Sequence, residues 1–495
     1  MNALLRHAST WLAALLLLLL ANAWWSGQGY LSSAVLQEWA TVMRYAAGHG
    51  SYREFLSSYP PLAFLLNVLL GVPLHWLSSL PTPLLLASML SAGLLALWRA
   101  QLLRAGWSGM ASALAVLLVL INPLFLYLLS AGISAILLLG ALYWFAAAFC
   151  ASHRHGRVSD LMSLALSLVC LVFVHPFGQL FALVALPFLV LVLPQALLAR
   201  SVFNSLLVLL FPLLFSILSF VYVVGMFDEA PASFLAAALQ HPPLQPAALS
   251  ASHTHGGAGS LALGLALGVL PSAWLILRRP PAHARRAVLL LILMCVLAAA
   301  LQLCIQASQQ AWSPGLGEAL IALAPCMGVL LALLRDWPLS RLAFSAALAV
   351  LLASLLLAGL GLLQLGTGEA ARWRDAGLGR GIPPAESASI ALGKWLAQHT
   401  DILLDAQAHP ALLAARGGAR GLIVPGDEAF SVLLLGQAPQ ARFVVLPDPL
   451  SAAGEDQLNQ RFPEFYLHGM PGYHLEYETY GWRVYERNPS ITTAP

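Results

Sequence analysis

The chain has 495 residues, 60% of them hydrophobic and 9% charged. An ordinary soluble domain carries about a quarter charged residues, so this composition, with a mean hydropathy of +0.80, excludes a soluble globular protein, a disordered chain and a nucleic-acid binder. The formal net charge is +3, and of the 24 basic residues only Lys394 is a lysine.

Apolar runs near the length of a bilayer crossing, without period-2 alternation, indicate a polytopic helical membrane protein rather than a barrel. They fall at 9–25, 61–80, 83–98, 110–122, 132–151, 160–174, 178–193, 203–226, 260–277, 287–307, 317–334 and 342–363. Met1 to Trp25 is a short basic start followed by an apolar run, and Ala21-Asn22-Ala23 resembles a signal-peptidase site. A cleaved leader and a retained first span both place Ser26 outside the cytoplasm. Because many spans follow, the retained span is the preferred reading.

Arginine in the short loops sets the orientation. Residues 1–363 contain 14 arginines, and 12 of them can face the cytoplasm if 61–80 does not cross. Pro60, Pro61, Pro73 and Pro81 interrupt that segment, which reads as a juxtamembrane or re-entrant helix. Eleven spans result, with the N-terminus inside and the C-terminus outside. The cluster Arg278-Arg279-Pro280-Pro281-Ala282-His283-Ala284-Arg285-Arg286 is then a cytoplasmic anchor near anionic lipid. The location expected is a bacterial inner membrane, with the membrane domain at 1–365 and its first outer loop at 26–82. The five cysteines, Cys150, Cys170, Cys295, Cys304 and Cys326, all lie in apolar runs. They form no disulfide framework or thiolate metal pattern.

The two exceptions among the arginines, Arg44 and Arg53, lie in the first outer loop beside Glu38 and Glu54. Residues 32–49 read as an amphipathic helix ending near Gly48 and Gly50. Val35, Trp39, Val42 and Ala46 share one face, while Glu38, Thr41 and Tyr45 share another. Such a helix is expected to lie along the membrane surface with its polar stripe facing a cavity.

The run Glu38-x6-Tyr45-x2-Gly48-x3-Tyr52-x6-Tyr59-Pro60-Pro61-Leu62 resembles the first outer loop of GT-C-fold glycosyltransferases, the membrane mannosyl- and aminoarabinosyl-transferases that use polyprenyl-phosphate sugars. The long loop after span one, the number of spans and an outer C-terminal domain extend the resemblance along the chain. Where the family has an Asp-Asp or Asp-Glu pair, this chain has Gln37-Glu38. Many members carry a second-loop acid, and Asn122-Pro123-Leu124-Phe125-Leu126-Tyr127 to Ser134 has none. Divalent Mg²⁺ or Mn²⁺ prefers several oxygen ligands, so any cation would be weakly held, with Glu38, His253 and His255 as candidate ligands.

An inverting transferase needs a carboxylate to take the acceptor's proton, and donors or positive charge for the leaving phosphate. Glu38 suits the first role; Arg44 and Arg53 suit the second. Glu54 adjoins Arg53 and is expected to pair with it. Gln37, Tyr45, Tyr52, Tyr59, His175, Asp228, Glu229 and Gln306 are the candidates for lining the site. His175-Pro176 also suits a structural role at a turn between spans. Gln302, Gln309, Gln310, Trp312 and Glu318 lie at outer span ends.

After residue 363 the composition changes: 14 of the 21 acids lie from Glu369 onward. Residues 366–384 are rich in Gly and Arg and read as a linker. Alternating helices and strands over 385–495 predict a small α/β domain with a partly parallel sheet and a closing hairpin at 473–486. It has no Gly-x-Gly-x-x-Gly and no P-loop. Asp405 and Asp448 end predicted strands, either as ligand-edge groups or as turn acids.

The resemblance implies a membrane transferase moving sugar from a polyprenyl-phosphate donor to an envelope glycan, lipid or protein on the outer face. Nucleotide sugars are scarce there, which fits a lipid-linked donor. The Gln37-Glu38 pair and the missing second-loop acid keep open a non-catalytic subunit of a polysaccharide or secretion assembly, docking partners through the C-terminal domain. A transporter ranks third, for want of internal repeats or charged mid-membrane helices.

Overall fold

The computed structural model describes residues 2–76, 80–104, 107–155, 157–192, 195–227, 282–308, 368–380, 384–435, 439–450 and 456–488, with isolated positions between 349 and 360. The sequence-predicted spans at 260–277, 317–334 and 342–363 lie outside the described residues or at those isolated positions. So do Asp228, Glu229, His253, His255, Gln309, Gln310, Trp312, Glu318 and residues 278–281 of the basic cluster. Gln302 and Gln306 fall on a described helix, but their side chains lie outside the description.

The membrane part comprises α1 (Asn2–Gly27), α2 (Ser33–Ala46), α3 (Tyr52–Ser57), α4 (Pro61–Leu66) with a π-helical turn Asn67–Gly71 and α5 (Val72–Leu74), then α6 (Thr82–Arg104), α7 (Gly109–Leu120), α8 (Pro123–Ser130), α9 (Ile133–His155), α10 (Val158–Val174), α11 (Pro176–Val192), α12 (Gln195–Gly225) and α13 (Ala282–Ser308). Among the described residues, four stretches are long and apolar enough to cross a membrane: His7–Gly27, Thr82–Arg104, Ile133–His153 and Phe203–Gly225. The 23 residues of α6 span about 35 Å at 1.5 Å per residue, enough for a core about 30 Å thick.

Helix α1 runs antiparallel to α6. Asn22 Nδ2 donates to Ser88 Oγ at 3.0 Å near one end, and Arg99 donates to Thr10 near the other. The end of α1 and the start of α6 therefore share one end of the bundle, and 61–74 returns to that end without crossing. The run at 110–122 differs from the expected single span. Helix α7 has 12 residues, about 18 Å, and the next helix starts at Pro123, a residue with no N–H to continue the ladder. The return from α6 to the start of α9 is shared between α7 and α8. Ser134 Oγ donates to the Val174 carbonyl at 3.1 Å, so α9 begins where α10 ends.

Sequence-predicted linker residues 366–384 hold a helix, α14 (Gly368–Gly377). Aromatic packing docks it: Trp373 stacks on Trp25 with centroids 5.0 Å apart, and Trp25 Nε1 donates to the Trp373 carbonyl at 2.9 Å. Gly and Arg content disguised that anchor.

The C-terminal α/β domain follows: α15 (Pro384–Leu396), β1 (Ile402–Leu403), α16 (Pro410–Arg416), β2 (Leu422–Ile423), α17 (Glu428–Leu434), β3 (Phe443–Pro447), α18 (Gln457–Arg461), α19 (Phe465–His468), β4 (Tyr473–Thr479) and β5 (Trp482–Arg487). The sheet order is β2-β1-β3-β5-β4. The β2-β1-β3 part is parallel, and β5 joins β3 and β4 antiparallel. Strand β3 is buried throughout, as the central strand of a sheet covered on both faces must be. One apolar cluster fills the α15–α16 side, including Leu392, Leu396 and Leu412; another, including Phe430, Leu458 and Phe465, fills the opposite side.

Candidate active site

Helix α2 carries most of the candidates. Ser32 caps it, its Oγ accepting from Val35 N at 3.1 Å. Its surroundings correct the expected membrane-surface pose, because α2 is sandwiched. Ala40 and Met43 are buried with Leu392, Leu396 and Leu412 of the C-terminal domain, and Trp39 packs on the same cluster. Val35 and Val42 face the bundle, lying close to Gly132 and Gly71. Burial by a segment more than 340 positions away is invisible to local periodicity.

Glu38 reaches the start of α9. Its Oε2 accepts from Ile133 N at 3.3 Å, and the Ser134 amide also donates to the carboxylate. Space for it depends on Gly132, whose φ is +100°. A Cβ there would stand 2.6 Å from Glu38 Oε2 and 3.1 Å from Val35 Cγ2. From below, Asn67 Nδ2 donates to the Glu38 carbonyl at 2.7 Å. Asn67 belongs to the π-turn, a feature common at functional positions, and its Oδ1 is buried without a hydrogen-bond partner. Desolvation pushes the Glu38 carboxyl up to about 8, against the opposing pull of the two backbone donors. The residue as a whole is half-exposed, while its carboxyl end is crowded by protein.

The arginines divide. Arg44 is buried and paired with Glu54, whereas sequence adjacency pairs Glu54 with Arg53. The helical turn at Ser51, whose Oγ accepts from Glu54 N, carries Glu54 back over α2. Arg53 is exposed and makes no ion pair among the described residues. Gln37 and Tyr52 are exposed too. Tyr45 donates to the Ser51 carbonyl at 3.0 Å, and partial burial pushes its hydroxyl up to about 12. Tyr59 donates to the Val172 carbonyl at 2.9 Å, with burial raising its hydroxyl as well. His175 Nδ1 accepts from Phe177 N at 3.1 Å, which caps the turn into α11. The structure thus gathers Glu38, Tyr59 and His175 around the start of α9 and the end of α10, and leaves Gln37, Tyr52 and Arg53 at the surface. Sequence reasoning missed Gly132 and Asn67. The only signal was a glycine directly ahead of an apolar run.

Other polar groups have structural duties. Asp405 Oδ1 accepts from Gln407 N and Ala408 N, and its Oδ2 from Gln457 N. Asp448 Oδ1 accepts from Leu450 N. Both are the turn acids of the two readings above. The one group of three potential metal ligands among the described residues is His474, Glu476 and Glu486. Glu486 Oε1 is already held by Arg442 at 2.8 Å, and the other two residues are exposed, so this is a surface charge network. Glu38 belongs to no such group. It offers one carboxylate, turned toward backbone N–H groups, a poor donor set for Mg²⁺ or Mn²⁺.

No family model matches the chain, and no curated protein matches it. Among solved structures, the crystal structure of ArnT from Cupriavidus metallidurans bound to undecaprenyl phosphate matches with a TM-score of 0.54 at 15% identity, covering 97% of this chain and 98% of that one. The chain has an ArnT-like GT-C fold. The coverage takes in the membrane bundle and the C-terminal domain together, so the resemblance read from the first loop holds for the fold as a whole. At that identity the likeness speaks for architecture; the chemistry rests on the residues of this chain.

Proposed function

We propose that the protein is a membrane glycosyltransferase that moves a sugar from a polyprenyl-phosphate donor to a cell-envelope acceptor on the outer face of a bacterial inner membrane. The observation that carries this reading is Glu38: a single acid on the first-loop helix, desolvated and aimed by Gly132 and Asn67. The ArnT-like fold supports it, since that structure binds undecaprenyl phosphate.

In an inverting displacement the acceptor oxygen bonds to the anomeric carbon. The carbon–oxygen bond to phosphate breaks, its electron pair leaving with the phosphate. Glu38 takes the hydroxyl proton. A carboxyl titrating near the working pH is a stronger base once ionised than an ordinary glutamate. Arg53, exposed at the start of α3, is the available guanidinium for the leaving phosphate. Arg44 serves by holding Glu54 and the loop, or by exchanging that partner for the donor. The donor set at Glu38 fits a divalent cation poorly.

One observation favours the competing reading of a non-catalytic subunit: the Glu38 carboxylate already has a structural task at the start of α9. Glu38→Gln separates the two. A transferase loses turnover of a synthetic polyprenyl-phosphate mannose in vesicles of extracted envelope lipids; a scaffold loses partner binding or nothing.

A further inference from the structure

The first turn of α2 is completed by a residue from the far end of the chain. Ser33 N donates to Glu369 Oε1 at 2.7 Å, and Ser33 Oγ donates to Glu369 Oε2 at 3.1 Å. A helix start leaves its first N–H groups without intrahelical partners. Ser32 satisfies the one at Val35, and Glu369 satisfies the one at Ser33 across a separation of 336 residues. The contact also sets a negative charge on the positive end of the helix dipole. Glu369 is itself held firmly. Its helix, α14, is anchored by the Trp25–Trp373 stack, by Trp24 Nε1 donating to the Gly377 carbonyl at 3.1 Å, and by Tyr127 edge-on to Trp373 at 5.7 Å. Beyond the other end of α2, His49 Nδ1 meets Asp427 Oδ1 at 2.8 Å. The helix bearing Glu38 is thus gripped at both ends by the C-terminal part of the chain.

We propose that Glu369 is a positioning residue for Glu38, acting through the first turn of α2. The proposal rests on the reading of Glu38 as the base. Glu38 lies five residues beyond Ser33, about 7.5 Å along the axis. Its contact with Ile133 N is 3.3 Å, at the long end for a hydrogen bond. A few tenths of an ångström of movement in α2 breaks it. The geometry lets the segment entering the C-terminal domain set the alignment of the base.

The test uses the full chain in lipid nanodiscs, with cleavage of a synthetic polyprenyl-phosphate mannose as one readout and hydrogen exchange of the 33–38 amides as the other. Glu369→Ala should lower kcat at least tenfold with the donor KM unchanged, shift the midpoint of the pH–rate profile, and speed exchange at 34–37 by tenfold or more. Glu369→Asp should recover part of each. Ser33→Pro removes the donor without touching Glu369, in a first-turn position that proline tolerates, and should reproduce the kinetic effect if Glu369→Ala proves unstable. Unchanged kcat, pH midpoint and exchange in both variants, alongside an inactive Glu38→Gln protein, would overturn the proposal while leaving Glu38 as base. If Glu38→Gln were fully active, the base assignment would fail by itself. The proposal, which rests on it, would fall with it, and the exchange data would then report only whether Glu369 holds α2.

Discussion

Acids of the same chemical type live differently in the two halves of this molecule. In the C-terminal domain, Asp405 and Asp456 are almost fully buried, yet each carboxylate is surrounded by partners: three backbone amides on Asp405, and His409 and Asn459 N on Asp456. On α2, packed against the membrane bundle, Glu38 receives two backbone amides, that of Ile133 at 3.3 Å, and burial pushes it up to about 8. The domain uses these two acids to hold turns in place; Glu38 sits instead in a poorly solvated place against the bundle. A group whose ionisation is disfavoured near neutral pH is the kind that proton-transfer chemistry uses.

The sharpest break of that contrast is Glu38→Gln, which keeps the volume and removes the charge. Donor turnover should fall about 100- to 10,000-fold with insertion unchanged, whereas Asp405→Asn should leave turnover intact and lower the melting temperature. Normal turnover in the Glu38 variant would end the contrast. Next comes Gly132→Ala. At φ +100° and 2.6 Å from Oε2, the added methyl must displace the carboxylate. Loss of most activity is expected, with about 1–3 kcal/mol of destabilisation from strain and overpacking, read as turnover beside thermal unfolding in detergent.

The pH dependence sharpens the same point. The folded state holds the Glu38 proton up to about pH 8, above the ordinary glutamate range, so it binds more protons than the unfolded chain between about 4.3 and 8. Over that window the contribution of Glu38 to stability falls as pH rises, while turnover should increase through pH 8 as the base ionises. A pH–rate profile flat from 6 to 9 would contradict the assignment. Arg53→Gln should weaken donor binding by about 1.5–3 kcal/mol, measured as donor KM. Arg44→Gln should instead destabilise the loop by stranding Glu54. The smallest effect is expected at the domain's exposed edge: His474→Ala should change stability by about 0.5 kcal/mol or less and turnover not at all.

Much of the architecture was legible because its causes are local. Apolar run length set most membrane helices, and the alternation of helix-like and strand-like segments predicted the α/β C-terminal domain and its closing hairpin, found at Tyr473–Thr479 and Trp482–Arg487. Pro60, Pro61, Pro73 and Pro81 marked 61–80 as a segment that fails to cross. Glu38 stood out because acids are scarce in an apolar chain. The partners of these elements were decided only by the tertiary structure. Pairing Glu54 with Arg53 followed adjacency; the turn through Ser51 gave it to Arg44 instead. The helix at 368–377 hid in a Gly- and Arg-rich stretch because its stability comes from Trp373 on Trp25 rather than from its own pattern. The sandwiching of α2 and the roles of Gly132, Asn67 and Glu369 all come from contacts between residues distant in sequence. Composition and periodicity report what each segment must bury; which surface buries it, and where a buried acid points, is set by packing and by the few backbone shapes that leave it room.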